Sequence, residues 1–113
     1  MIKYDGLMDD EAVESLALAE HASHVGKVVL ARSISGYFLS DSFDIVLDPP
    51  VRVRVEAVPE GDIRRWRDDW LDPVWDVAVL DDHPLLADKR SFWVHGTSYH
   101  RDGRTEPGDL LLS

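Results

Sequence analysis

The residues of this chain that could do chemistry are its five histidines and a cluster of tryptophans, arginines and aspartates. The cluster is the segment RRWRDDWLDPVW, residues 64–75, which contains three of the four tryptophans. A neutral imidazole is a common metal ligand and general base, whereas indole and guanidinium groups dominate the energetic centres of protein interfaces. The chemistry open to the chain is therefore metal binding, proton transfer or recognition of another protein.

The spacing of the histidines argues against a metal site. His21 and His24 are three residues apart and follow Glu20. The zinc-binding H-E-x-x-H motif instead separates its histidines by four residues and encloses the glutamate. The chain has no cysteine, and its aspartates form no calcium-loop pattern. We therefore expect no metal site and no cofactor.

Catalytic residues are equally hard to assign. His83 follows Asp81 and Asp82, but adjacent residues in a turn rarely orient one another as a catalytic base and its acid do. The sequence has no nucleophile elbow, no phosphate-binding loop and no dinucleotide motif. His95 shares a predicted strand face with Trp93, where it could act as a base. No catalytic residue is assigned, and the balance favours a protein without enzymatic activity.

The charge of the chain limits its partners. The formal net charge is −10, which repels nucleic-acid phosphates and anionic membranes, so neither is an expected partner. A basic protein would instead be attracted. The N-terminus, MIKYDGLMDDEAVES, has no apolar run long enough for a signal peptide, and no segment approaches a membrane span. We therefore expect a cytoplasmic protein.

The first predicted element is a helix over residues 10–24. Acidic residues crowd its first turn, where they interact favourably with the helix dipole, and apolar residues recur with helical spacing. Gly26 is a typical residue just beyond a helix end. His21 and His24 then fall in the last turn, where partial positive charge is favourable.

A second helix is predicted in the tryptophan-rich segment. Ile63, Trp66 and Trp70 have the spacing of one helix face. Asp72-Pro73 would end the helix, because the residue before a proline disfavours helical geometry. The prediction is a helix over 62–71, with its indoles in the core and its charged residues facing water.

The clearest alternation of apolar and polar residues covers residues 42–58. A period of two predicts strands with one buried face, and consecutive prolines cannot continue a ladder. We therefore predict a hairpin that turns at residues 48–50, with Asp44 and Asp48 on the exposed face, where they would form cross-strand pairs with Arg52 and Arg54. The residues expected on its buried face are Phe43, Ile45, Leu47, Val51, Val53 and Val55.

The full set of predicted strands is 27–33, 37–47, 51–58, 74–80 and 91–100. The strand at 74–80 is nearly apolar on both faces, which places it centrally, and Asp102-Gly103 predicts a hairpin turn. Residues 105–112 could return as an edge strand. The order α-β-β-β-α-β-β predicts an α+β fold, a mainly antiparallel sheet of about five strands with two helices on one face. The length fits a single globular domain over 1–113.

The function that these features favour is a small acidic protein-binding module, most concretely an inhibitor or immunity-type protein that occludes a basic partner. Exposed aspartates would raise the association rate, and partly exposed aromatic residues would slow dissociation. The residues expected to contact the partner are Asp68, Asp69, Asp81, Asp82, Trp93, His95 and Tyr99.

Two alternatives remain open at this point. One is a small-ligand-binding protein or enzyme, whose pocket would lie between sheet and helices and be lined by Trp75, Trp93, His95 and Tyr99. The other is a homo-oligomeric structural subunit that pairs through the edge at 105–112, for example as a homodimer.

Overall fold

The computed structural model describes residues 7–39 and 41–112. Its pairings are antiparallel throughout, which confirms the predicted α+β class with mainly antiparallel strands. Residues 1–6, the start of the segment predicted to lack a signal peptide, lie outside the described residues. The elements are α1 Asp10–His24, β1 Val28–Phe38, β2 Asp41–Val55, α2 Glu60–Ile63, β3 Trp66–Arg67, β4 Trp70–Leu71, β5 Val74–Val79, β6 Arg90–His95, β7 Ser98–His100, β8 Thr105–Glu106 and β9 Leu110–Leu111.

Helix α1 has the predicted bounds and the predicted end signals. The Asp9 carboxylate accepts a hydrogen bond from the backbone N–H of Ala12 at 2.8 Å, and so satisfies a free donor of the first turn. Gly26 follows the helix with φ of +85°, a conformation that glycine adopts without strain. Within residues 7–39 and 41–112, no helix has the length and apolar content needed to cross a membrane.

The larger sheet closes on itself. Strand β1 pairs with β2, β2 with β5, β5 with β6, and β6 with β1, while β9 adds to β1 as an edge strand. Strand β5 lies between β2 and β6, as its apolar sequence predicts. Alternate residues fill the inside of this circuit, and burial of each large aliphatic or aromatic side chain contributes about 1.5–3 kcal/mol. The buried residues on these strands include Ala31, Ile34, Val53, Val55, Trp75, Val77 and Val94.

A smaller sheet has the order β3-β4-β7-β8. Helix α1 packs against α2 and β7, and α2 packs against β5, so the two helices connect the smaller sheet to the larger one. The side chains that α1 buries are Val13, Ala17 and His21.

The predicted hairpin with a turn at residues 48–50 is wrong. Strand β2 continues through these residues, and its hairpin partner is β1. Ala31 lies opposite Val51, but Ser33 lies opposite Val46, so residues 47–50 bulge outward opposite a single residue of β1. The prolines occupy this bulge, where the ladder is interrupted and a missing N–H is tolerated. The Asp48–Pro49 peptide bond is cis.

The faces predicted for this segment hold even though its topology does not. Leu47, Val51, Val53 and Val55 are buried, while Phe43 and Ile45 are half-buried against the core. The predicted cross-strand partners are wrong because they followed from the hairpin. Asp44 faces Ser35, whereas Arg52 pairs with Asp81 and Arg54 with Glu56.

The predicted helix over 62–71 is also wrong. Helix α2 ends at Ile63, and the chain then forms the β3–β4 hairpin, with Asp68 at φ of +49° in its turn. Trp66 and Trp70 are half-buried rather than fully buried. The Trp66 ring N–H donates to Glu14 at 2.6 Å, and the Arg101 guanidinium lies 4.4 Å from its ring centre. Charged side chains and indole rings, which are mixed in the sequence, are thus also in contact in the folded protein.

The predicted strand over 91–100 is divided by Gly96-Thr97 into β6 and β7, which belong to different sheets. The turn predicted at Asp102-Gly103 connects β7 to β8, with Gly103 at φ of +89°. Residues 105–112 contain β8 and β9, and both strands lie at sheet edges.

Candidate functional site

A row of side chains crosses the outer side of four paired strands. Asp44 of β2 lies opposite Ser35 of β1, and the Ser35 hydroxyl donates a hydrogen bond to the Asp44 carboxylate. Ser35 also lies opposite Trp93 of β6, which in turn lies opposite Asp76 of β5. Residues directly opposite each other in a sheet share one side, so the four side chains are neighbours.

This row forms one side of a cleft of about 510 Å³. His95 extends the row at the next position, opposite Val74. The other side of the cleft comes from the segment around α2 and β3, which contributes Asp62, Arg65 and Arg67. The cleft thus combines aromatic rings with charges of both signs.

Asp72 fixes the orientation of His95 at the edge of this cleft. Its Oδ1 lies 3.2 Å from Nδ1 of His95, and its Oδ2 accepts from Nε of Arg67 at 3.1 Å. Only 8% of the Asp72 side chain is exposed, compared with 40% for His95. A carboxylate at Nδ1 favours a proton there and leaves Nε2 as the acceptor, which is the arrangement of a general base.

The backbone of His95 is also held closely. Its N–H donates to Asp109 Oδ2 at 2.9 Å, and its carbonyl accepts from the Asp109 N–H at 2.8 Å. Gly96 and Gly108 allow these two segments of the chain to approach closely. A Cβ at Gly108 would lie 2.0 Å from the His95 carbonyl oxygen, and one at Gly96 would lie 2.7 Å from Nε1 of Trp75. Glycine is therefore required at both positions by close approach.

Three aspartates line the cleft, Asp44, Asp62 and Asp76, and among residues 7–39 and 41–112 none of them makes an ion pair. Desolvation raises the pKa of Asp76, and the negative charges of Asp62 and Glu56 raise it further. A cation placed beside Asp76 would therefore stabilise its ionised form.

Tyr37 and Trp93 supply the aromatic surface of the cleft. Their ring centroids are 4.9 Å apart and their planes are tilted by 56°. Tyr37 is 49% exposed, and Trp93 is half-buried. Aromatic rings of this kind can accept a cationic group or the aliphatic stem of a lysine or arginine.

Of the residues predicted to contact a partner, the structure places Trp93 and His95 in the cleft. Asp68 and Asp69 form the turn between β3 and β4, where Asp69 lies 3.4 Å from Arg101. Asp81 and Asp82 follow β5, and Asp81 is paired with Arg52 at 2.7 Å. None of these aspartates lines the cleft.

Tyr99 is buried, contrary to the expectation of a partly exposed ring. Burial and the hydrogen-bonded Glu20 carboxylate raise the pKa of its hydroxyl. Trp75 is buried as well, and its indole lies against His21 at 5.3 Å. Trp75 and Tyr99 therefore do not line the cleft with Trp93 and His95, as the predicted pocket required.

The remaining histidines lie outside the cleft, and one of them, His100, lies 3.0 Å from the Glu106 carboxylate. His21 donates from Nε2 to the Glu56 carbonyl at 3.0 Å, and His24 donates from Nδ1 to the Glu20 carbonyl at 2.8 Å. His83 accepts at Nδ1 from the N–H of Leu85 within its turn. In the described part of the chain, no group of three or more potential ligands is placed to hold a metal ion.

Several residues that line or support the cleft were not assigned to a functional site from the sequence. Asp44 and Asp76 carried a usable signal, because each is the polar residue between inward-facing neighbours of a strand. Ser35 and Asp72 carried no such signal, since their roles depend on contacts between distant segments. Comparison of the chain with family models, with curated proteins and with solved structures finds no match.

Proposed function

We propose that this chain is a small acidic, non-catalytic protein-binding module of the inhibitor or immunity type, which acts in the cytoplasm by occluding a basic partner. Its net charge is −10. Most described arginine side chains already pair with carboxylates of the chain itself, so the surplus negative charge is free to attract a partner. The paired arginines are Arg52, Arg54, Arg64, Arg67, Arg101 and Arg104.

The observation that carries the proposal is the position of Asp62 and Asp76 beside Trp93 in one cleft. The pKa of Asp76 is raised because burial and the nearby negative charges destabilise its ionised form. A lysine or arginine side chain from a partner would stabilise the ionised carboxylate and offset its repulsion from Asp62 and Glu56. Contact of that cation with the indole face would add about 0.5–2 kcal/mol.

Because the cleft contains both aspartates and arginines, a protein surface is a more suitable ligand than an isolated cation. Arg65 lies on the cleft, and it makes no ion pair within the described residues. A partner that presents an acceptor next to its cation would satisfy both Arg65 and the carboxylates. Such paired recognition gives specificity more than raw affinity.

The test is capture of a partner from the native host on immobilised protein, followed by mass spectrometry and an affinity measurement. Asp62→Asn and Asp76→Asn alter the cleft, and Glu11→Gln on the exposed side of α1 is the control with the same charge change. We expect a basic protein in stoichiometric amount, bound about tenfold more weakly by each cleft variant. An acidic partner, or one indifferent to the cleft variants, would overturn the proposal. Self-association without another partner would favour the structural subunit.

A second candidate function is binding or turnover of a small molecule in the same cleft. It is favoured by one observation, the buried Asp72 that orients His95 towards the role of a general base. Native mass spectrometry of protein purified from its host would detect a bound small molecule. Loss of that molecule in His95→Ala, but not in the control His83→Ala, together with failure to capture a protein, would favour this candidate.

A further inference from the structure

The two most exposed large apolar side chains in the described residues lie on one element, the β1–β2 hairpin. Leu39 is 87% exposed and Val46 is 81% exposed, whereas the other exposed large apolar side chains reach at most 54%. Single exposed apolar residues are ordinary on protein surfaces. The exposure of Leu39 is informative because of its backbone conformation and the residues near it in the sequence.

The backbone of Leu39 is in a conformation that disfavours leucine. Its φ is +58°, in the left-handed region that glycine adopts readily and bulky residues rarely do. Leu39 does not belong to the core or to the residues packed against it. Burial of this side chain therefore does not offset the free-energy cost of its unfavourable backbone conformation.

The surroundings of Leu39 indicate what it would contact. Tyr37, two residues earlier, lines the cleft. Asp41, at the start of β2, is exposed and makes no ion pair within the described residues. An exposed apolar group two residues from an aromatic residue and from an unpaired carboxylate is complementary to an apolar pocket with a cationic rim.

We propose that Leu39 is the apolar anchor of the interaction, inserted into a hydrophobic pocket of the same basic partner that the cleft binds. The inference rests on the proposed function and deepens it. Cleft and hairpin then form one continuous surface, on which the carboxylates select a basic partner and Leu39 slows its release.

The test compares Leu39→Asn with wild-type protein. Asparagine is close to leucine in shape, lacks its apolar character and tolerates positive φ. Leu85→Asn is the matched control, because Leu85 is an exposed leucine that does not line the cleft. Thermal melting is measured on each free protein, and dissociation rates are measured by surface plasmon resonance against the captured and purified partner.

We expect Leu39→Asn to melt at or above the wild-type temperature and to release the partner at least about tenfold faster. Leu85→Asn should match wild type in both measurements. Dissociation of Leu39→Asn within twofold of wild type would overturn the inference, and so would a lower melting temperature, because Leu39 would then serve the fold. If Asp76→Asn still weakens binding in that case, the proposed function stands without the anchor. If wild-type protein captures no basic partner, both fail.

Discussion

Asp72 and His95 are 23 residues apart in the sequence, yet their side chains meet at 3.2 Å. The same carboxylate accepts from Arg67, so it connects the two sides of the cleft. Its backbone N–H also donates to the Arg65 carbonyl at 2.8 Å. Asp72 is therefore the residue that positions the cleft, although its own side chain is largely buried.

Asp72→Asn should lower the free energy of unfolding by about 1–2 kcal/mol, because the neutral amide lacks the negative charge that strengthens the hydrogen bonds with Arg67 and His95. Urea denaturation monitored by tryptophan fluorescence measures this change. Asp68→Asn is the control, since Asp68 is exposed at φ of +49°, which asparagine tolerates. It should stay within about 0.5 kcal/mol of wild type. Equal effects would show that Asp72 does not hold the cleft.

Asp76→Asn should raise the melting temperature at neutral pH. The pKa of Asp76 is raised in the folded state, so between its ordinary value and the raised value the folded protein binds more protons than the unfolded chain. Its contribution to stability therefore falls as pH rises through that window. The gain from Asp76→Asn should disappear below the ordinary aspartate pKa. A variant that melts lower at neutral pH would contradict the assignment.

Gly108→Ala should destabilise the protein by about 3 kcal/mol or more, because its Cβ would collide with two backbone oxygens that cannot turn aside. Gly96→Ala should cost less, since it meets the ring of Trp75. Gly61→Ala is the control, with nothing within 4 Å of its Cβ, and should be neutral or stabilising by up to about 1 kcal/mol. Chemical denaturation of the three variants gives the order directly. If Gly108→Ala were as stable as wild type, residue 108 would not lie against the backbone of His95 as described.

Val53→Asp should unfold the domain, because Val53 is completely buried and the substitution leaves an unpaired charge there. Arg54→Ser should change stability by less than about 1 kcal/mol, since its ion pair with Glu56 is exposed. Circular dichroism with thermal melting distinguishes the two variants. Comparable losses would contradict the face assignment of β2.

Local signals predicted parts of the fold well. The acidic first turn and Gly26 predicted α1, and alternation predicted which residues of β2 face inward. The two prolines led to the wrong prediction of a hairpin turn, because a bulge opposite β1 accommodates them equally well. Trp66 and Trp70, four residues apart, are compatible with one helix face and equally with a short hairpin.

The candidate site was predictable only in part. Trp93 and His95 could be placed on one strand face because their spacing is two. The strand predicted over 91–100 divides after His95, and Tyr99 on its second part is buried. At the division, Gly96 lies against the ring of Trp75, a contact that the local sequence does not report. The burial of Asp72 likewise depends on partners from two other segments, which no local pattern reports.

The central claim is that this acidic surface recognises a basic protein, and the dependence of association rate on salt tests it most directly. Charges are screened over about 8 Å at physiological ionic strength and over shorter distances at higher salt. Stopped-flow mixing with the captured partner should show association slowing at least about tenfold between roughly 0.05 and 0.5 M salt, with little change in dissociation. An association rate that is independent of salt, or that rises with it, would contradict the claim.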